Sequence, residues 1–179
     1  ILNELNIEVP STYEEVIAAA EKIKASGMME NPYAGAFKSG WNLGQEFVNM
    51  YLGHGGEFFK SGTAQPNVNN AKGIAALETI KKLTELSNPD FLTQDTNEVK
   101  EEWESGNVAL MHVWNSAAAS LLDDEGDQSI KEDTRLAPSP TVGGGSKPAT
   151  TLWWDGIGIA TNTSCLLYTS PSPRDLGKS

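Results

Sequence analysis

The sequence is poor in the residues that most chemistry needs. It has one cysteine, Cys165, and two histidines, His54 and His112. No spacing of the HExxH or paired-cysteine kind is present, so no metal site is expected. A Cys/His nucleophile pair has no second support, and no G-x-S-x-G elbow occurs. His54 sits in a Gly-rich turn and His112 inside a predicted strand, and both read as structural residues. The run Gly143-Gly144-Gly145-Ser146-Lys147 lacks the spacing of a phosphate loop and reads as a linker. Glu101, Glu102 and Glu104 fall on the solvated face of a predicted helix, and nothing marks a pair of carboxylates for glycoside hydrolysis. No catalytic residue and no cofactor is expected.

Positive charge is scarce as well. Thirteen basic residues face 24 acidic ones, a formal net charge of −11 and a pI near 4.6. Such a chain is repelled by phosphate backbones and anionic lipid, which argues against nucleic acid and membrane-surface partners. No apolar run approaches the roughly 18 residues of a membrane span. The chain opens Ile1-Leu2-Asn3 without an initiator methionine. The expectation is therefore that its true start, with any export signal, is missing.

The last residues differ in kind from the rest. From Cys165 the sequence runs Cys-Leu-Leu-Tyr-Thr-Ser-Pro-Ser-Pro-Arg-Asp, eleven residues in succession that resemble the translation of a transposase-derived sequencing adapter. Residues 165–179 are thus expected to be non-native, which leaves residues 1–164 without any cysteine. The alternative is a natural Ser/Pro linker.

The remainder has the patterning of an α/β domain. Ser11 to Ser26 reads as an amphipathic helix, with capping boxes offered by Ser11/Glu14 and Thr12/Glu15 and a stop at Gly27. Tyr33–Phe37 reads as a short strand. A turn-rich loop from Lys38 to Gly44 leads into a helix from about Gln45 to Leu52. Asn69 or Asn70 caps a third helix, with Ile74, Leu77, Ile80 and Leu83 as its buried stripe. Asp95-Thr96 opens a fourth, on which Val99 and Trp103 share a face. Val108–Val113 reads as a strand, and a short Ala-rich helix runs on to Leu122. Asp123 to Asp133 reads as a solvated loop, and Arg135–Pro138 as a strand. Thr141–Thr151 reads as a flexible connection, and Gly156–Ala160 as a further strand. Alternation of helices with short strands argues for a sheet covered on both faces.

Tryptophan placement is the strongest chemical signal. Trp103 lies at helical spacing within an apolar pattern, but Trp41, Trp114 and the pair Trp153-Trp154 lie at element ends beside Asn, Asp, Ser or Gly. An indole face flanked by planar polar groups suits a sugar ring: C–H groups stack on the ring while amides and carboxylates take the hydroxyls.

Several stretches taken together resemble the bacterial extracellular solute-binding proteins of the sugar class, the group that includes the maltose-binding protein. They are Pro10-Ser-Thr-Tyr-Glu-Glu-Val-Ile, Gly55-Gly-Glu-Phe-Phe59 and Val68-Asn-Asn-Ala71, followed by Trp103-Glu-Ser-Gly-Asn-Val-Ala-Leu-Met111, Trp114-Asn-Ser116 and Trp154-Asp-Gly-Ile-Gly-Ile-Ala160. The resemblance implies a two-lobe type II periplasmic-binding-protein fold, of which this chain is a fragment truncated at both ends. Residues 1–148 would form most of the C-terminal lobe, and 149–164 a hinge crossing that begins the return into the N-terminal lobe. It further implies ligand contacts at Trp41, Asn42, Trp114, Asn115, Trp154 and Asp155, a sugar or polyol as ligand, and an ABC importer's permease subunits as partners. A periplasmic or extracellular location and a monomeric parent follow. Glycine is frequent in the family where this chain has Asn115. Two other readings stay open: a carbohydrate-active hydrolase or its accessory module, and a peptide- or polyamine-binding protein of the same fold, in which Asp155 would pair a cation.

Overall fold

Two strands, five complete helices, a 3-10 turn and the first residues of a further helix at 115–117 lie within the residues described by the computed structural model, 1–117 and 127–153. The predicted strand at 156–160, the segment 165–179, and the stretch from Ala118 to Leu122 lie outside them. So do Trp154 and Asp155.

Helix α1 (Tyr13–Ala25) starts at Thr12, whose Oγ1 accepts from the Glu15 amide at 3.1 Å. Glu15 answers by accepting from the Thr12 amide, and from the amide and hydroxyl of Ser11 at 2.7 and 2.8 Å. The second of the two offered capping boxes therefore forms. Glu14 is left free for a longer reach and accepts from the Gly143 amide at 2.9 Å.

Strands β1 (Tyr33–Gly35) and β2 (Leu110–His112) pair in parallel, Tyr33 beside Leu110 and Gly35 beside His112. Alternation of side chains across the pleat puts Tyr33, Leu110 and His112 on one face and Ala34 and Met111 on the other. The first face carries the larger core. It is built from α1, α2 (Trp41–Gly53) and α3 (Ala71–Thr84), with Tyr13, Phe37, Met50, Tyr51, Ile80 and Leu83 buried. The second face carries a smaller core: Ala34, Val99, Trp103 and Val108, with Ile130 against them. Its helices are α4 (Thr96–Glu104), capped by an Asp95/Glu98 box, and α5 (Gln128–Asp133). Helices thus cover both faces, as the alternation predicts.

Four local expectations are overturned. Ile74 and Leu77 are more than half exposed, because α3 meets α2 through Gly73, Ala76, Ile80 and Leu83. Gly73 is required by the loop before the helix: a β-carbon there would collide with the Val68 carbonyl oxygen. The buried line is thereby turned about 100° from the line of large residues in the first two turns. The acidic stretch ends in α5, since Asp127 caps it by accepting from the Ser129 amide at 2.8 Å and Ile130 has the small core to pack on. Residues 135–138 form no strand. Pro138 and Pro140 supply no amide donors for one.

The segment from Thr141 to Thr151 is built in rather than loose. Thr141 forms a parallel bridge with Thr12, and Val142 and Ala149 are fully buried. They close over Gly53 at the end of α2, where a β-carbon would lie within 2.7 Å of both. Gly143 turns the chain with φ +61°, a left-handed conformation that few L-residues take without strain.

Candidate ligand-binding site

The carboxyl ends of parallel strands are where open α/β sheets place ligands. Here Trp114 follows the end of β2, and the amino-terminal end of α2 lies against it. The helix starts earlier than the sequence pattern implies. Gly40 acts as its N-cap at φ +112°, so Trp41 is the first helical residue rather than part of a loop, and Gly44 is accommodated in the first turn. The preceding loop is tied down by backbone bonds from Lys38 to Gln94 and from Ser39 to Leu92, at 2.8 and 3.0 Å.

Trp41 stacks on Trp114, with ring centroids 5.7 Å apart and planes 28° from parallel, and Trp153 leans on Trp41 at 6.0 Å. Trp41 is 61% exposed and Trp153 60%. Three indoles from three separate parts of the chain therefore make one open aromatic surface.

A polar ladder lies beside it on the same face of α2, since Trp41, Gln45 and Asn49 recur at four-residue spacing. The Gln45 amide donates to Asn49 Oδ1 at 3.1 Å and to Thr151 Oγ1 at 2.7 Å. The Thr151 hydroxyl also accepts from the Trp153 indole at 3.2 Å and donates to Asn49 Oδ1 at 3.2 Å. Gln45 and Asn49 are buried, so this network fixes the floor from which Trp153 projects.

Of the expected contacts, the structure brings Trp41 and Trp114 together. Asn42 is half-buried on the first turn of α2 and Asn115 is exposed beside Trp114, and neither side chain hydrogen-bonds within the described residues. Trp154 and Asp155 lie outside those residues, so the structure neither places nor displaces them. Gln45, Asn49 and Thr151 are additions, and Trp153, singled out by its polar neighbours but not among the contacts the resemblance implies, joins them. The signal for Gln45 and Asn49 was their spacing from Trp41, which is visible only if the helix is begun at Trp41.

Beneath the cleft is a buried titratable group. His112 Nδ1 lies 3.3 Å from Glu46 Oε2, and the Tyr13 ring meets the imidazole edge-on at 6.1 Å. Burial disfavours the imidazolium, but the Glu46 carboxylate outweighs it and holds the His112 pKa above its ordinary value. Burial, and then Glu46, push the Tyr13 phenol well up; burial, Tyr13 and Glu46 do the same to Tyr33.

A cavity of about 400 Å³ exists elsewhere, at the opposite, amino-terminal ends of the strands, lined by Met28, Met29, Asn88, Glu102 and Asn107. It has no aromatic wall, and its carboxylate is already engaged: Glu102 accepts from Asn88 and Gln94, both at 2.6 Å. Among the described residues, no group of three His, Cys, Asp or Glu side chains is placed to hold a metal ion, and no helix is long and apolar enough to cross a membrane.

The profile of the bacterial extracellular solute-binding protein family matches residues 1–164. The chain belongs to that family. The match stops immediately before the segment that resembles an adapter. A curated relative, described as a probable ABC transporter-binding protein of Deinococcus radiodurans, is 29% identical over 148 residues, covering 80% of this chain and 34% of its own. Among solved structures, maltose-bound MalE3 of T. maritima aligns with a TM-score of 0.71 at 20% identity, over 80% of this chain and 37% of that one. A solute-binding protein of Agrobacterium radiobacter K84, in complex with ribitol, aligns at 0.69 and 20% identity, over 80% and 36%. A sugar transporter protein of Arthrobacter chlorophenolicus A6 with bound laminaribiose aligns at 0.63 and 17%, over 80% and 35%. These likenesses show the fold, and the chain spans about a third of the length of each of these relatives. It is a fragment of the family's fold.

Proposed function

We propose that this chain is part of the substrate-binding component of an ABC importer that holds a sugar or polyol between two lobes. Residues 1–148 would belong to the C-terminal lobe, with 149–164 crossing the hinge. The observation that carries this reading is the open surface of Trp41, Trp114 and Trp153 at the carboxyl end of the sheet, flanked by the Gln45–Asn49–Thr151 ladder. Indole faces supply stacking area for the C–H side of a sugar ring, and amide and hydroxyl groups choose among hydroxyl patterns. The family match and the sugar- or polyol-bound proteins of the same fold support the choice of ligand class.

On this reading no bond is made or broken. Ligand bridges the lobes, the closed state gains contacts the open state lacks, and closure is selected by that difference. Asn42, Asn115, Trp154 and Asp155 would complete the contacts in the closed form. Permease subunits would then receive the loaded protein, in the periplasm or outside the cell.

A thermal-shift screen of the full-length protein against sugars, polyols, amino acids and polyamines tests this. Ligand at about 100 times its Kd should stabilise by roughly 2.7 kcal/mol. A shift with one sugar that disappears in Trp114→Ala is the expected result. A shift with a polyamine or an amino acid, and with no carbohydrate, would overturn the ligand class.

A further inference from the structure

One buried pair joins the two elements that carry the stacked tryptophans. Glu46 lies on α2 one turn beyond Asn42, and His112 lies on β2 two residues before Trp114. Their side chains are only 10% and 16% exposed, and their charged atoms are 3.3 Å apart. The Trp41–Trp114 contact itself lies at the surface, with Trp41 61% exposed. Burying an ion pair rarely adds net stability, because desolvation offsets the attraction, so such a pair is better explained by the geometry it enforces.

We propose that Glu46 and His112 are the positioning residues of the aromatic cleft: their contact sets how closely the start of α2 approaches the end of β2, and so the gap between the Trp41 and Trp114 rings.

Among the described residues, two charged or titratable groups make a direct interaction with His112. Glu46 faces it from α2 and Tyr13 from α1. Tyr33 on β1 shares its sheet face, and Gly35, its register partner, carries no side chain. Both phenols are held above the ordinary tyrosine range and stay neutral while the imidazole titrates. Protonated His112 draws the Glu46 carboxylate in by charge; neutral His112 keeps only a weaker polar contact. The tight setting of the rings is therefore present on the acid side of the His112 titration. It relaxes as the pH rises through that titration, which lies above the usual histidine value.

The test uses the full-length protein and two readouts. The first is the circular-dichroism exciton couplet of the stacked indoles, obtained as the difference between the protein and its Trp41→Phe variant, followed from about pH 5 to 9. The couplet should weaken with rising pH along a one-proton curve. In His112→Gln it should become independent of pH, and in Glu46→Gln the midpoint should move down. Glu46→Asp, which keeps the carboxylate, should bring the midpoint back up. The second readout, which rests on the sugar-binding reading, is the Kd of a sugar found in the screen. It should rise across the same titration, about tenfold for each unit by which sugar binding raises the His112 pKa. A couplet unchanged with pH in the parent protein, or a pH dependence that survives His112→Gln, would overturn the proposal. A titrating couplet in a protein that binds no sugar would uphold the positioning role and remove only the ligand class.

Discussion

Trp103 and Trp41 are the same residue put to opposite uses. Trp103 is 7% exposed and closes the small core beneath Ala34 and Val108, where its value is the area it removes from water. Trp41 is 61% exposed, and its main partners are two other indoles. A contiguous patch of large aromatics left open to solvent, unlike a single exposed apolar residue, points to recognition rather than packing. The contrast separates packing from recognition better than the count of tryptophans does.

The comparison breaks most sharply at Trp103. Replacement by alanine should cost about 3–5 kcal/mol of unfolding free energy, read from urea titration of the full-length protein, because a buried indole leaves a cavity. Trp114→Ala should behave differently: sugar affinity should fall by roughly 10- to 100-fold, about 1.4–2.8 kcal/mol, while stability changes by less than about 1 kcal/mol. Isothermal calorimetry beside the urea titration checks both halves. If stability fell as far as in Trp103→Ala, the cleft would be core and not site. Thr151→Val sharpens the comparison by removing the hub of the ladder while leaving the indoles. A loss of about 1 kcal/mol is expected from the bonds that Gln45 and Asn49 lose to Thr151, with a smaller loss of affinity through a displaced Trp153.

The smallest effect concerns an exposed ion pair near the loop that leads to Trp41. Lys38 Nζ meets Asp95 Oδ2 at 2.9 Å, and the bond from Lys38, followed by the Asn97 amide, holds the Asp95 carboxyl at about 2, below its usual 3.8. A depressed carboxylate stabilises the fold above its unfolded pKa, and that share is lost as pH falls through the folded one. The melting temperature should therefore fall between about pH 4 and pH 2, and Lys38→Met should flatten part of that slope. No flattening would mean that the pair contributes nothing measurable, as many exposed pairs do not.

Much of the frame was legible because its signals are local. Thr12/Glu15, Asn70 and Asp95 each cap a helix with their own side chains, and a cap depends only on residues within one turn. The stripe on α3 was not legible, since the buried side of a helix is chosen by what comes to meet it. Gly73, seated under the Val68 carbonyl, and the fully buried Ala76 hold that side in place of Ile74 and Leu77. The segment 141–151 was misread for a related reason: glycines speak for freedom in isolation, and only Val142 and Ala149 seated over Gly53 show that it is packed. The site was half legible. Trp41, Trp114 and Trp153 stood out by their polar neighbours, whereas Gln45, Asn49 and Thr151 needed the helix start and the returning chain to be placed.

The sequence by itself determined the side-chain-capped starts of α1, α3 and α4, the alternation that makes an α/β fold, the family, and the shortage of residues for metal or nucleophilic chemistry. Each of these is set by composition or by neighbours within a few positions. Only the tertiary structure decided that three tryptophans and a Gln–Asn–Thr ladder share one cleft, and that Glu46 touches His112 beneath it. Those contacts join residues far apart along the chain, and such distances are settled by how helices pack on a sheet rather than by any local preference.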